Sequence, residues 1–220
     1  MNFNRAFKYK TFFLIIIIST ILFAACSKTK TDYWPNGNIK SEMKYYNGKL
    51  DGICTWWYEN GEKLMECTYK NNMLEGKSTR WYFNGNKQSI ENYTNNILND
   101  TSFSWFESGT RKSVLVYKND TLDGPVSEWH ENGQFKLTGF YKLNLFDSSW
   151  NYWDKAGIKV GEGIYKSGSG IQKGYYADGR LMREIHYANN KKNGLDTWYD
   201  ESGNIIKKIV YENENITYTE

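Results

Sequence analysis

Short stretches in which apolar and polar residues alternate make up most of the chain, and Asn and Gly cut them at a fixed interval. One series of cuts is Asn36-Gly37, Asn60-Gly61, Asn84-Gly85, Ser108-Gly109, Asn132-Gly133, Ala156-Gly157, Asp178-Gly179 and Ser202-Gly203. Its glycines lie 24 residues apart, with one step of 22. A second series falls between them, at Asn47-Gly48, Asn71-Asn72, Asn95-Asn96, Asn119-Asp120, Asn189-Asn190 and Asn213-Glu214. The intervening stretches are rich in Tyr, Trp, Ile, Thr and Val, which favour strands. A turn signal every dozen residues argues against helix. Asn-Gly and its relatives suit two-residue hairpin turns, whose two positions both need positive φ. The pattern predicts an all-β chain of about eight repeated hairpins, and a fixed period of this size marks a repeat array.

Register follows from arithmetic, because residues facing each other across a two-residue turn have a constant index sum. The second series then pairs Tyr45 with Leu50, Tyr69 with Leu74, Tyr93 with Leu98 and Tyr117 with Leu122. It also pairs Tyr141 with Phe146 and Tyr211 with Ile216. The first series places Cys54 opposite Cys67, at a site that alternation makes non-hydrogen-bonded. The spacing predicts a Cys54–Cys67 disulfide there. Strict alternation sets Trp57, Trp81, Trp105, Trp129 and Trp153 on the face opposite the Tyr–Leu pairs. Gly52, Gly76, Gly124 and Gly194 stand mid-strand, where glycine often marks a bulge. A bulge at each is expected to return the Trp to the Tyr–Leu face.

An aromatic four residues before a turn glycine, followed by Tyr and a second turn ending in Leu-x-Gly, resembles the MORN repeat variant. The bacterial members similar to this chain are labelled YwqK-family antitoxins. The resemblance covers residues 33–217, about eight copies, with the sixth eroded at Lys166–Gly170. It implies an elongated, single-layer antiparallel β-meander. It also offers an antitoxin or immunity role, on the family label alone.

The first 25 residues read differently. Arg5, Lys8 and Lys10 precede an apolar run over 11–23 and then Ala24-Ala25, which is the build of a secretory leader. The run is shorter than the ~20 residues that span a bilayer. Phe23-Ala24-Ala25-Cys26 resembles a bacterial lipobox, so Cys26 is the expected acylation site and residues 26–32 a lipidated tether. Ser27 after it favours the outer membrane. Without residues 1–25 the 28 basic residues fall to 25 against 25 acidic ones. A neutral chain with no long basic block is a poor match for nucleic acid.

Chemistry is sparse. His130 and His186 occupy different phases of the repeat, and His130 stands where Tyr58, Tyr82 and Phe106 stand elsewhere. No metal-ligand spacing, phosphate loop or selected carboxylate pair emerges, so neither cofactor nor enzyme activity is expected. Aromatic residues make up 17% of the chain, and those on the period are expected to cover their own sheet. Off-period aromatics are the candidates for partner contact: Trp56, Phe103, Phe140, Trp150, Tyr152 and Trp198. Phe140, Trp150 and Tyr152 are expected to cluster. The expected partner is another envelope protein, with a glycan as an alternative.

Overall fold

The computed structural model describes residues 26–220; the leader expected over 1–25 lies outside them. Among the described residues every regular element is a strand, and all strands pair antiparallel in a single open sheet. In chain order β1 is Ser27–Tyr33, β2 Ile39–Tyr46, β3 Lys49–Leu50, β4 Gly52–Trp57, β5 Lys63–Lys70 and β6 Met73–Trp81. Next come β7 Lys87–Thr94, β8 Ile97–Trp105, β9 Arg111–Lys118, β10 Thr121–Leu122 and β11 Gly124–Trp129. Then β12 Phe135–Lys142, β13 Leu145–Trp153, β14 Lys159–Lys166 and β15 Ser169–Tyr175 follow. The last are β16 Leu181–Ala188, β17 Lys191–Tyr199, β18 Ile205–Glu212 and β19 Asn215–Thr219. Each strand pairs with its sequence neighbours; β3 and β4 both lie along β2, and β10 and β11 both lie along β9. Strands spaced ~4.8 Å apart give a plate roughly 75 Å long.

The two series of turns fold differently. The second series consists of two-residue turns with positive φ at both positions, such as Asn71 (52°) and Asn72 (69°), the geometry of type I′. Leu143-Asn144 and Ser167-Gly168 complete it. These turns produce all six expected Tyr–Leu-type pairs, from Tyr45–Leu50 to Tyr211–Ile216. The Asn-Gly series departs from expectation: Gly61 has φ 90° but Asn60 is not in the left-handed region. Gly61 N donates to Tyr58 O (3.0 Å) and Tyr58 N to Glu62 O (2.8 Å). This is a three-residue loop, a type I turn closed by a glycine bulge. A further bulge follows, because Trp56 pairs with Met65 but Trp57 with Lys63.

The mid-strand bulges exist, with a different consequence from the one expected. Tyr69 pairs with Leu74 and Cys67 with Ser78, so the index sum grows by two across Gly76. An even offset preserves alternation, and the Trp row stays on the face opposite the Tyr–Leu pairs. The bulge residue takes positive φ: Gly52 113°, Gly76 78°, Asp100 65°, Gly124 150°, Ser148 59° and Gly194 101°. In β15 the register runs unbroken from Lys166–Ser169 to Gly161–Gly174. The 22-residue repeat is therefore the one without a bulge, and its two missing residues are the bulge itself.

The tether expected over 26–32 is instead a strand. Ser27 to Tyr33 pairs with β2 along its whole length, from Ser27–Tyr46 to Tyr33–Ile39. The repeat region therefore runs from 27 to 219 rather than 33 to 217.

Left-handed backbone costs ~1–2 kcal/mol for an ordinary L-residue, and only Gly and Asn/Asp adopt it routinely. Leu143 (φ 51°) holds a position filled by Asn or Ser in the other turns, and it is 65% exposed. Leu143→Asn and Ser148→Gly should each raise unfolding free energy by about 1 kcal/mol in urea titrations. Unchanged midpoints would show that those turns are not in this geometry.

Candidate interaction surfaces

Alternation gives the sheet two faces. The tyrosine face carries the Tyr–Leu pairs and the centre of the core, where Val126, Trp150 and Tyr165 are buried against Leu137, Tyr141, Phe146 and Tyr152. Trp150 is 2% exposed. Its ring lies where a Cβ on Gly139 would stand, and Tyr165 overlies Gly163 in the same way. Each large ring thus lies flat over a glycine, which supplies the layer a one-sheet fold otherwise lacks. The repeats solve this position differently: Cys54 faces Cys67, Val126 faces Gly139, Trp150 faces Gly163 and Asp196 faces Ile209.

The proposed contact cluster does not form. Trp150 and Tyr152 belong to the core of the tyrosine face, whereas Phe140 projects from the opposite face, paired with Pro125 and Asp147. Trp150 is removed from the contact candidates by its burial. Trp56 is half-buried on the tyrosine face, across from Ser41 and Met65. Trp198 lies under Arg183, whose guanidinium carbon is 4.1 Å from the ring centroid. Arg183 in turn donates two hydrogen bonds to Asp196, at 2.7 and 2.5 Å, and Asp196 is completely buried. Removing either partner would leave a buried charge without compensation. This Arg–Trp–Asp cluster was not foreseen, although Asp196 stands in a row of otherwise apolar or small residues.

Cys54 and Cys67 meet as the index sum requires, and both are buried. They are free thiols, which corrects the expected disulfide. The type I′ turn at Asn71-Asn72 closes on a hydrogen-bonded pair, Lys70–Met73. Counting back along β5 from that pair directs the N–H and C=O of Cys67 toward β4, so Cys54–Cys67 is a hydrogen-bonded pair. Cα atoms there stand ~5.5 Å apart with side chains more widely separated than at the alternate sites. The three-residue loop and the bulge beside it cancel in register but reverse this phase.

His130 has a structural role. Its Nε2 lies 2.9 Å from Trp153 O, and Tyr58 and Tyr82 donate their hydroxyls to Trp81 O and Trp105 O, each at 2.9 Å. Among the described residues no cluster of three or more His, Cys, Asp or Glu is placed to hold a metal.

The second face carries Trp57, Trp81, Trp105, Trp129 and Trp153. Through the five middle repeats the residue paired with each Trp is Lys63, Lys87, Arg111, Phe135 and Lys159. Cations lie over rings here: Lys63 Nζ is 5.6 Å from the Trp81 centroid and Arg111 stands over Phe103 (5.4 Å) and Trp105 (5.9 Å). Phe135 breaks the cationic row. It stacks on Trp129 (5.2 Å) and reaches Trp153 (5.8 Å), forming a three-ring strip, and it remains 45% exposed. The sequence signal was one aromatic in a row of cations.

The family model of the MORN repeat variant matches residues 29–49, 50–71, 74–95, 122–143, 169–189 and 192–213, more than half of the chain. The chain belongs to the MORN repeat variant family. The two repeats this model passes over are those whose bulge residue is Asp100 or Ser148 instead of glycine. No curated protein matches the chain. Among solved structures it is similar to "Crystal Structure of TcdB2-TccC3", at 10% identity and a TM-score of 0.22, over 88% of this chain and 14% of that one. It is also similar to "Crystal Structure of TcdB2-TccC3-TEV", at 11% identity and a TM-score of 0.21, over 84% of this chain and 10% of that one. The chain thus spans about a seventh or less of the length of these structures, and at such scores the likeness carries no information on function.

Burial pushes the Cys67 thiol up to about 11 and the Tyr152 hydroxyl up to about 12. Burial and the neighbouring Glu91 carboxylate do the same for Tyr93, also to about 12. These groups keep their protons longer in the folded state, so the unfolded chain releases protons first as pH rises past 9–10. Their contribution is complete below pH 9 and declines toward pH 12. Melting temperature should fall over that window, and two thiols per chain, besides Cys26 if it is unmodified, should alkylate in unreduced protein only after unfolding. A flat profile, or no such thiols, would contradict the packing described.

Proposed function

We propose that this MORN repeat variant protein is a non-enzymatic binding scaffold of the bacterial cell envelope. In this reading it is exported by the leader over 1–25, acylated at Cys26 and held at the outer membrane. It presents its tryptophan face to another envelope protein. The observation that carries the reading is the Trp129–Phe135–Trp153 strip. An exposed aromatic held between two half-buried ones resembles the anchor of a protein interface, where a few rings dominate affinity and neighbouring contacts exclude water. Lys63, Lys87 and Lys159 at the equivalent positions of other repeats mean that the fold does not require an aromatic there.

A second reading, glycan binding, rests on the same strip, because ring faces open to solvent stack on sugars as well as on protein. An immunity-type role would differ from a scaffold only in the identity of the partner.

Phe135→Lys separates binding from folding, since it installs the residue the neighbouring repeats use. The variant should keep the β-sheet circular dichroism of the parent. Capture of the partner from detergent-solubilised membranes should fall about tenfold or more, a loss of at least ~1.4 kcal/mol. A Cys26→Ser form serves as the unacylated control, and a sugar array probed with parent and variant tests the second reading. Undiminished capture and unchanged array signal with Phe135→Lys would remove the strip from function.

A further inference from the structure

The residue expected to carry the lipid is built into the sheet. Cys26 O accepts a hydrogen bond from Asn47 N (3.2 Å), and Cys26 N donates to Asn47 Oδ1 (3.3 Å). Leu50 makes a similar pair of contacts with Asn72, at 2.9 and 2.7 Å, and Leu74 with Asn96, at 3.0 and 2.7 Å, although those asparagines are the second residues of their turns and Asn47 is the first of its own. Cys26 therefore occupies the leucine position of the first repeat unit, and β1 begins at the very next residue. Six flexible residues would reach ~20 Å; paired in β1, residues 27–32 provide no such reach. The N–H that Asn47 receives is one that an N-acylated cysteine still has.

The surroundings of Cys26 fix which part of the sheet meets the lipid. Lys28 pairs with Tyr45, Lys30 with Met43 and Asp32 with Ser41, so all three project from the tyrosine face together with Cys26. Cys26, Lys28, Lys30, Tyr45 and Gly48 line one open hollow of about 230 Å³. Lys30 is shared with Asp32 at 3.3 Å, and Lys28 has no carboxylate partner among the described residues. Amines beside an acyl anchor are placed to meet lipid phosphates.

We infer that the bilayer is a docking surface for the first hairpin: the turn edge of the sheet at Cys26 and Asn47-Gly48 lies against the lipid headgroups, with Lys28 among the phosphates. The opposite long edge, at Glu59-Asn60, stands ~25–30 Å away along the strands. The sheet leaves the membrane at a set angle, with no tether between them. This rests on the acylation of Cys26 proposed above.

The test uses the processed, acylated protein in phosphatidylethanolamine–phosphatidylglycerol vesicles containing a headgroup nitroxide lipid. Bimane is attached at Lys49→Cys, Glu59→Cys or Thr217→Cys; buried Cys54 and Cys67 stay out of reach of the label. Loss of fluorescence at position 49, with none at 59 or 217, is the expected result. Inserting six Gly/Ser residues after Cys26 should abolish that loss, and Lys28→Gln should weaken it. Equal quenching at 49 and 59 in protein whose N-terminal peptide carries acyl chains by mass spectrometry would overturn the fixed docking while leaving the anchor intact. An N-terminal peptide without acyl chains would overturn both.

Discussion

Neighbouring hairpins are joined most visibly at their turns, where one asparagine both makes the reversal and bonds to the hairpin before it. Asn72, Asn96 and Asn144 adopt the left-handed backbone of a type I′ turn. Each donates its backbone N–H to the carbonyl of the residue 22 positions earlier, Leu50, Leu74 or Leu122, and accepts that residue's N–H on Oδ1. Asp120 does the same for Leu98. The Asn-Gly edge has its own ladder: Asn84 Nδ2 donates to Glu107 O at 2.9 Å and Asn132 to Lys155 O. A single-layer sheet has little apolar burial to hold it, so pairwise bonds between successive units supply stability of the nearest-neighbour kind. Each is worth ~1 kcal/mol net, and they recur at both sheet edges, from Asn36, Asn60, Asn84 and Asn132 on the Asn-Gly side.

The ladder also explains the eroded repeat. Gly168 offers no side chain to Phe146, and Asn190 reaches past it: its Oδ1 accepts from Phe146 N and its Nδ2 donates to Asn144 O, both at 2.8 Å. A Cβ on Gly168 would stand 3.0 Å from Asn189 Cα and Asn190 N. Loss of the β15 bulge draws the two turns into this contact. Sequence erosion at 166–170 is thus a local rearrangement that keeps the sheet continuous.

Much of this was legible in the sequence, and the failures share a cause. The Tyr–Leu pairs and the single antiparallel sheet follow from turn spacing, because type I′ turns consume two residues and nothing else. At Asn60-Gly61 two one-residue offsets cancel: Cys54 was placed opposite Cys67, and the hydrogen-bond phase that disfavours their bridge was hidden. The mid-strand glycines and the two extra residues of their segments announced bulges, but an offset of two leaves alternation unchanged, so the Trp row was assigned to the wrong face. Of the six contact candidates, Trp150 was chosen because it lies off the period. Gly139 across the strand pair was the sign that it covers backbone instead. Phe135 was overlooked because only its comparison with Lys63, Lys87, Arg111 and Lys159 makes it unusual.

Faces and edges then divide the work. The tyrosine face holds the core and, at its first hairpin, Cys26; the tryptophan face carries the Trp129–Phe135–Trp153 strip. Amide hydrogen exchange at Leu50, Leu74, Leu98, Leu122 and Phe146 tests the turn-to-turn ladder directly, since each of these N–H groups is held only by an Asn or Asp side chain from a later turn. Protection comparable to the strand interiors, lost at Leu74 alone in Asn96→Gly, is the result the ladder requires. Exchange at solvent-exposed rates in the parent protein would contradict it.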